Sequence, residues 1–191
     1  MKSICVFCSS SDSIDEVYFK TAIDLGCQIG DLKLDLVYGG GGIGLMGAVA
    51  RSVHKNGGRV VGVFPEFLRE KDEDFEYIEA DELIIAETMR IRKAIMDERA
   101  DAFIVLPGGI GTLEEAIEIM SMKQLGLTDK PLAFVNTNNF YDSLISNFQM
   151  MVGLKFAKSS ILDLFAVCPN PSSALEFILS YKSKKKDNKY L

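Results

Sequence analysis

The sequence predicts a single-domain α/β fold: a doubly wound, Rossmann-like parallel sheet of about six or seven strands with helices on both faces. Short apolar or β-branched runs alternate with helix-length amphipathic segments along the chain. The runs are continuously apolar, which is typical of strands that are buried on both faces. The chain has 191 residues with 48% hydrophobic content, which suits one domain with one core.

The predicted elements follow one another in regular alternation. Strands are predicted at residues 4–7, 34–38, 60–64, 83–86, 102–106 and 132–135, with an edge strand in the late run 164–168. Apolar positions three and four apart predict helices at residues 14–32, 45–56, 88–98, 112–125, 141–152 and 173–181. The acidic segment 66–79 is predicted to form a loop or lid over the edge of the sheet. The domain would span residues 1–181, followed by a lysine-rich tail at residues 182–191.

Charge and composition exclude several kinds of partner. The net charge is −6, so the surface as a whole repels nucleic acid. No apolar run approaches the ~20 residues that a bilayer-spanning helix needs, and residues 4–7 are too short for a signal-peptide core. We therefore expect a cytoplasmic protein without a membrane partner. Cys5 and Cys8 would point to opposite faces of a strand, and His54 is the single histidine, so we expect no metal site.

The first of two glycine-rich turns, residues 39–44, reads Gly-Gly-Gly-Gly-Ile-Gly and follows the second predicted strand. It matches the dinucleotide pattern G-x-G-x-x-G, and Glu66 follows at about the spacing of a ribose-binding acid. However, dinucleotide turns follow the first strand, and Glu66 lies behind Pro65. Glycines that only let a helix pack closely on the sheet would produce the same pattern. An NAD(P)-dependent oxidoreductase therefore remains a minor alternative.

The second turn, residues 107–112, reads Pro-Gly-Gly-Ile-Gly-Thr and follows the strand at 102–106. Gly108, Gly109 and Gly111 would expose backbone N–H groups, and Thr112 would add a hydroxyl at the start of a helix. The turn lacks the lysine with which P-loops bind the β- and γ-phosphates. It is therefore predicted to hold a monophosphate.

Two charged features next to this turn allow a structural and a functional interpretation. Thr112 and Glu115 have the spacing of a capping box. Alternatively, Glu115 lies one helical turn from the phosphate, where a carboxylate stabilises oxocarbenium character on a sugar and activates water. Arg90, Arg92 and Lys93 form a basic cluster at the start of the preceding helix. A solvated face is the default, but cations placed against a helix dipole suggest an anionic partner.

These motifs resemble the Lonely Guy (LOG) family of cytokinin riboside 5'-monophosphate phosphoribohydrolases. The family signature reads Pro-Gly-Gly-x-Gly-Thr-x-x-Glu with an upstream Met-x-x-Arg-Lys, and residues 107–115 and 89–93 match it. The likeness covers nearly the whole chain, including Cys8-Ser9-Ser10-Ser11, Gly44-Leu45-Met46-Gly47, Gln124-Leu125-Gly126 and Lys130-Pro131.

The resemblance implies that Glu115 and Arg92 form the catalytic pair, with Arg92 orienting the substrate or balancing charge. It implies a nucleotide-binding catalytic domain at residues 1–181, a homodimer, and release of a free adenine-type base and ribose 5-phosphate without a metal or organic cofactor. The substrate-binding residues that it implies are Gly108, Gly109, Gly111, Thr112, Lys93, Met89, Ser10, Gly41, Gly42, Met46 and Ser121. A non-catalytic nucleotide-binding or carrier protein of the same fold is the alternative.

The chain departs from the family pattern at three positions. Arg90 replaces a usual histidine, Ser9 a glycine and Met122 a common tryptophan. These departures bear on substrate preference more than on reaction type. Family members have often been labelled lysine decarboxylases, a reaction that normally uses pyridoxal phosphate on a lysine, but no lysine here is marked for that role.

Overall fold

The computed structural model describes residues 1–69 and 75–183 as a seven-stranded parallel sheet in the order β4-β3-β2-β1-β5-β6-β7. The strands are β1 (Ser3–Phe7), β2 (Asp35–Tyr38), β3 (Val60–Pro65), β4 (Glu82–Ala86), β5 (Ala102–Val105), β6 (Leu132–Val135) and β7 (Ala166–Cys168). The helices are α1 (Glu16–Asp31), α2 (Gly44–Lys55), α3 (Glu66–Arg69), α4 (Met89–Arg99), α5 (Ile110–Gln124), α6 (Asp142–Gly153) and α7 (Pro171–Ser180). Short 3₁₀ helices lie at Thr137–Asn139 and Ser159–Asp163.

The predicted doubly wound sheet is confirmed, although several elements begin or end at residues other than the predicted ones. The late strand begins at Ala166, because Leu164 is buried beside a 3₁₀ turn and not in the sheet. Helix α5 begins at Ile110, two residues before the prediction. The predicted lid contains the short helix α3 and, at residues 75–77, a segment that bonds to the first glycine turn. Residues 70–74 of the lid and residues 184–191 of the lysine tail lie outside the described residues.

Two apolar layers cover the two faces of the sheet. Helices α1, α2 and α7 bury side chains on one face, and α4, α5 and α6 on the other. Cys8 lies in the first layer and Cys5 in the second, so the two thiols point to opposite faces as predicted. In the part of the chain described, no helix has the length and apolar character to cross a membrane.

Helices α1 and α2 approach each other at two glycines. A Cβ on Gly26 would lie 2.6 Å from that of Ser52, and one on Gly30 would lie 2.7 Å from that of Asn56. Any larger residue would push the helices apart, so the glycines set the distance between them. This contact fixes α2, whose first residues carry the first glycine turn.

The strand order changes direction between β1 and β5. From β1 the chain moves outward through β2, β3 and β4, and then returns to place β5 on the other side of β1. In open parallel sheets, the carboxyl ends of strands at such a switch point form the ligand crevice. Ser10 follows β1 and the turn 107–112 follows β5, so both lie at this crevice.

Candidate active site

The backbone amides at the start of α2 donate hydrogen bonds to acceptors within the protein. Gly44 donates its N–H to Oδ1 of Asp12 at 2.8 Å. Leu45 and Met46 both donate to the carbonyl of Ser9, at 2.9 and 3.3 Å. These amides, which a Rossmann turn would offer to a pyrophosphate, are therefore satisfied without a ligand. The geometry disfavours the dinucleotide alternative.

The middle of the first glycine turn is also bonded, to a strap formed by residues 75–77. Gly42 donates its N–H to the carbonyl of Phe75 at 2.9 Å, and Tyr77 donates to the carbonyl of Gly40 at 2.8 Å. Gly41 pairs with the centre of the strap in an antiparallel bridge. Because the Gly42 amide is occupied, a ligand contact at Gly42 would have to use another atom.

The second glycine turn, by contrast, faces open space. A Cβ added to Gly109 or Gly111 would meet no atom within 4 Å. Gly109 occupies the N-cap position of α5 and no side chain caps this helix. Thr112 is buried, with its hydroxyl against Gly108. The first-turn amides of α5 thus retain the donor capacity and partial positive charge that bind an anion.

The capping box predicted from Thr112 and Glu115 is wrong. Helix α5 begins at Ile110, so Thr112 lies inside the first turn and cannot act as its N-cap. The carboxylate of Glu115 points instead to Arg92, whose Nη1 donates to Oε1 at 2.7 Å. The sequence fitted the capping-box pattern because any threonine and glutamate three residues apart on a helix have the same spacing.

Arg92 and Glu115 form a buried ion pair, with side chains 8% and 11% exposed. The guanidinium also donates from Nε to the carbonyl of Val63 at 2.8 Å. On a third side, its Nη2 lies so close to Gly39 that a Cβ there would collide with it. Arg92 is therefore fixed by β3, by the first glycine turn and by Glu115 together.

Opposing effects act on the pKa of Glu115. Burial raises the pKa, while the charge of Arg92 and its hydrogen bond lower it. Glu114 next along the helix raises it further and Lys93 lowers it, and burial determines the net direction, which is upward. A carboxyl group with a raised pKa is a stronger base than an exposed one, which suits proton transfer near neutral pH.

The anionic partners of the basic cluster are glutamates of α5. Lys93 bonds to Glu114 and lies 2.8 Å from Oε2 of Glu118, while Arg92 bonds to Glu115. Arg90 is exposed and lines a cavity between α4 and α5. Sequence reasoning expected an anion near this cluster but did not identify Glu114 or Glu118, which lie one turn apart on α5.

The cavity between α4 and α5 encloses about 180 Å³ beside Glu115. Its apolar wall consists of Phe7, Ala94, Ile119 and Met122. Arg90 and Met122, two of the three departures from the family pattern, therefore line one cavity that also contains Glu115.

Several predicted substrate-binding residues lie close to the ion pair. A Cβ on Gly39 would lie 3.0 Å from Sδ of Met46, and one on Gly41 would lie 2.7 Å from its Cε, so Met46 covers both glycines. The backbone of Ser10 packs against Gly44, which adopts a positive φ of 58° and would collide there with any Cβ. Their contacts with a ligand remain predictions.

Met89 and Ser121 lie at the periphery. Met89 is 41% exposed at the first position of α4. Ser121 is exposed near the end of α5, and its hydroxyl donates to the carbonyl of Ile117 at 2.9 Å. With a rise of 1.5 Å per residue, Ser121 lies about 14 Å along the helix axis from Thr112. Within one chain, the fold does not bring Ser121 to the second glycine turn.

Sequence reasoning missed the groups that hold Arg92 and the first glycine turn. Val63, Asp12 and the strap act through contacts between distant parts of the chain. Two of these contacts use backbone carbonyls, which no residue type marks. Within the described ranges, no group of three or more His, Cys, Asp or Glu residues is placed to hold a metal.

The chain matches a protein-family model described as "Possible lysine decarboxylase" over residues 46–178, more than half of its length. Among curated relatives, it is 39% identical to cytokinin riboside 5'-monophosphate phosphoribohydrolase LOG2 from Arabidopsis thaliana, over 97% of this chain and 86% of that protein. It is 40% identical to LOG5 of the same name and plant, over 95% of this chain and 78% of that protein.

Solved structures with the same fold are more distant in sequence. A molybdenum cofactor binding protein from Rippkaea orientalis aligns with a TM-score of 0.70 at 22% identity, covering 94% of this chain and 97% of that one. The molybdenum cofactor carrier protein of Chlamydomonas reinhardtii aligns with a TM-score of 0.69 at 19% identity, covering 95% and 100%. These similarities concern the fold alone. The family match and the curated relatives show that the chain belongs to the Lonely Guy (LOG) family.

Proposed function

We propose that this chain hydrolyses the N-glycosidic bond of adenine-type nucleoside 5'-monophosphates, such as a cytokinin riboside 5'-monophosphate or AMP. The products are the free base and ribose 5-phosphate. The observation that carries the proposal is the buried Arg92–Glu115 pair, which lies close along α5 to Gly109 and Gly111, two glycines with open space where a side chain would be. The names of relatives that align with nearly the whole chain support the same reaction.

The 5'-phosphate would bind at the second glycine turn. The free space at Gly109 and Gly111, together with the uncapped first-turn amides and the dipole of α5, would provide a site for one phosphate group. Thr112 is buried against Gly108, so it supports the shape of the turn from inside. The absence of a lysine in the turn matches a monophosphate better than a triphosphate.

Glu115 would act on the ribose. Hydrolysis breaks the C1'–N bond, with the electron pair leaving on the base, and adds the hydroxyl of water to C1'. An ionised carboxylate next to the sugar stabilises the developing positive charge and accepts the proton that water loses. The base nitrogen takes up one proton from solvent and Glu115 later releases its proton to solvent, so the net reaction consumes one water and balances without a cofactor.

Arg92 would keep Glu115 ionised and oriented. Its guanidinium carries a permanent positive charge and does not exchange protons, so its role is electrostatic. The bond to Val63 holds the guanidinium in place before a substrate arrives. We also propose that the base lies beside the cavity at Met122 and Arg90, which would make these two residues determinants of base preference.

A homodimer in the cytoplasm completes the proposal. Large apolar side chains are exposed near the ends of α5 and α6, namely Leu125, Leu127, Met150, Leu154 and Phe156. Exposed apolar patches of this kind mark interfaces. Ser121 lies near the same end of α5, so a contact with substrate would have to be made across such an interface. Light scattering should give the mass of two chains, and a monomeric mass in active protein would exclude the dimer.

The lysine decarboxylase description does not fit the lysine nearest to the site. A Schiff-base lysine must be able to lose its proton. Burial alone lowers the pKa of Lys93, but hydrogen bonds to Glu114 and Glu118 outweigh burial and raise it. Lys93 therefore remains charged and is poorly suited to attack a carbonyl group.

The test is product analysis after incubation with AMP, with isopentenyladenosine 5'-monophosphate and with the matching nucleosides that lack phosphate. We expect free base from the monophosphates and at least tenfold less from the nucleosides. Glu115→Gln protein, purified in parallel, controls for contaminating hydrolases. Binding of AMP without any release of base would favour the carrier alternative, and tight NAD binding alone would favour the oxidoreductase.

A further inference from the structure

The strap (residues 75–77) adds a short antiparallel ribbon to the first glycine turn. Its two backbone bonds, to Gly40 and Gly42, are 2.8 and 2.9 Å long. From the other side, Nη1 of Arg51 on α2 bonds to the carbonyl of Gly42 at 2.7 Å. The turn is therefore held between the strap and α2.

The strap is anchored at its last residue by a network of side chains. Tyr77 is 6% exposed, and its hydroxyl lies 2.9 Å from Nδ1 of His54 and 3.1 Å from Oε2 of Glu79. Nε2 of His54 lies 2.8 Å from Oδ2 of Asp81, an oxygen that also accepts the N–H of Val60 at 2.7 Å. The Tyr77 hydroxyl donates its single proton to Glu79, and its oxygen also lies within hydrogen-bond distance of Nδ1 of His54, whose Nε2 faces Asp81. Tyr77 is thus linked through α2 to the first residue of β3.

The turn that the strap holds is in contact with the catalytic pair. The backbone of Gly39 lies directly against Nη2 of Arg92, with no room for a Cβ. The same guanidinium bonds Glu115. A displacement of the turn therefore opens space beside Arg92 and loosens the geometry of the ion pair, because a guanidinium fork depends on direction as well as distance.

We propose that Tyr77 and His54 are positioning residues for catalysis: their hydrogen bond keeps the strap on the glycine turn, and the turn keeps Arg92 against Glu115. Neither side chain contacts the ion pair in this arrangement, so both act through the backbone of residues 39–42. The inference rests on the proposed hydrolase activity and adds a group of residues, outside the two family motifs, on which turnover depends.

Tyr77→Phe tests the inference, because it removes the hydroxyl and keeps the buried ring. The hydroxyl contacts both His54 and Glu79, and a net hydrogen bond contributes about 1 kcal/mol, so its loss should lower kcat about fivefold or more by loosening the Arg92–Glu115 pair. KM should change less than kcat, since the proposed phosphate turn, residues 107–112, is not touched. Tyr181→Phe is the matched control, because its hydroxyl also bonds a carboxylate, that of Asp129, near the end of α7. Its kcat should equal that of the wild type.

A merely structural role is separated by repeating Tyr77→Phe in a Glu115→Gln background. If Tyr77 acts through the ion pair, the second substitution should cause no further loss of kcat, because the pair is already disabled. Equal loss in both backgrounds, or an unchanged kcat in the single variant, would overturn the inference. His54→Ala added to Tyr77→Phe should likewise cost less than the sum of the two single effects.

A spectroscopic readout keeps this test independent of activity. The Nε–H of Arg92, bonded to Val63, should give a resolved NMR signal, assigned by its loss in Arg92→Lys. We expect this signal to shift in Tyr77→Phe and to stay in place in Tyr181→Phe. An inactive wild type with the expected shift would reject the proposed hydrolase but retain the positioning. An unshifted signal in Tyr77→Phe would reject the positioning itself.

Discussion

Removal of Arg92 should destabilise the protein in a pH-dependent way. Arg92→Met keeps an unbranched chain of similar volume but leaves Glu115 buried without its counter-charge, and it leaves the carbonyl of Val63 without its donor. Breaking a buried pair by removing one partner costs about 3–5 kcal/mol. For a chain of this size, a loss of that magnitude lowers Tm by about 6 to 20 °C.

The pH dependence follows from the direction of the Glu115 shift. The pKa of Glu115 in the folded protein lies above its unfolded value, so folding favours the protonated form. The contribution of such a group is present below the unfolded pKa and is lost as pH rises through the folded pKa. Arg92 opposes the upward shift, and its removal makes the shift larger. The stability gap between wild type and Arg92→Met should therefore be smaller at pH 5 than at pH 8, above the pH-independent loss of the bond to Val63.

Urea denaturation at pH 5 and at pH 8 measures this gap. Arg92→Met/Glu115→Gln should recover much of the loss at pH 8, because no charge remains buried there. Arg59→Met is the matched control: Arg59 also pairs with two carboxylates, but its side chain is 46% exposed. Exposed pairs contribute about 0–1 kcal/mol, so this variant should change little at either pH. A loss in Arg92→Met that is equal at both pH values would refute the role of an ionised Glu115.

Three further predictions concern the reaction and the fold. Glu115→Gln should lower kcat by about 10² to 10⁴, the usual contribution of a general base, whereas Glu114→Gln on the next position should lose less than threefold; equal losses would assign the effect to helix charge. Gly111→Val should raise KM for AMP more than tenfold without lowering Tm, because a side chain there enters only the proposed phosphate site, and an unchanged KM would move the phosphate elsewhere. Gly26→Ala should cost about 1–3 kcal/mol in urea denaturation because its Cβ would press on α2, while Gly153→Ala, which meets no atom within 4 Å, should be near neutral.

The fold was predictable because buried parallel strands leave a strong pattern. Each strand reads as a short, continuous apolar run, and the helices between them carry their own period. The late strand is the exception to this pattern. Leu164 belongs to the apolar run before β7, but it is buried beside a 3₁₀ turn and not in the sheet. An apolar residue alone therefore does not distinguish a strand from a packed turn. Residues 159–163 carry no turn signal of glycine or proline that would have marked it.

The sequence alone groups candidate site residues only where they lie within one motif. Glu115 and the glycines of the second turn are local to residues 107–115, so their spacing marks them together as candidates. The partners of Arg92 are not local, because Val63 contributes a backbone carbonyl 29 residues away. The first glycine turn also depends on a distant residue. Its sequence suggests an anion site, but the amide of Gly44 donates to Asp12, which lies 32 residues away in the chain.

The two glycine turns differ in role: the first supports the side chain of Arg92, and the second leaves space for a ligand. In the first turn, internal acceptors bond the amides of Gly42 and Gly44, and the backbone of Gly39 packs against Arg92, so this turn positions a side chain. In the second turn, no side chain caps the helix and the space around Gly109 and Gly111 is free, so these glycines can receive a ligand. A carboxylate that stays ionised in a buried site needs a cation held next to it. Without a rigid support, the cationic side chain would turn toward solvent and leave the carboxylate without its counter-charge. The closely packed first turn therefore provides the rigidity that the open second turn cannot, and the catalysis proposed at Glu115 would require both turns.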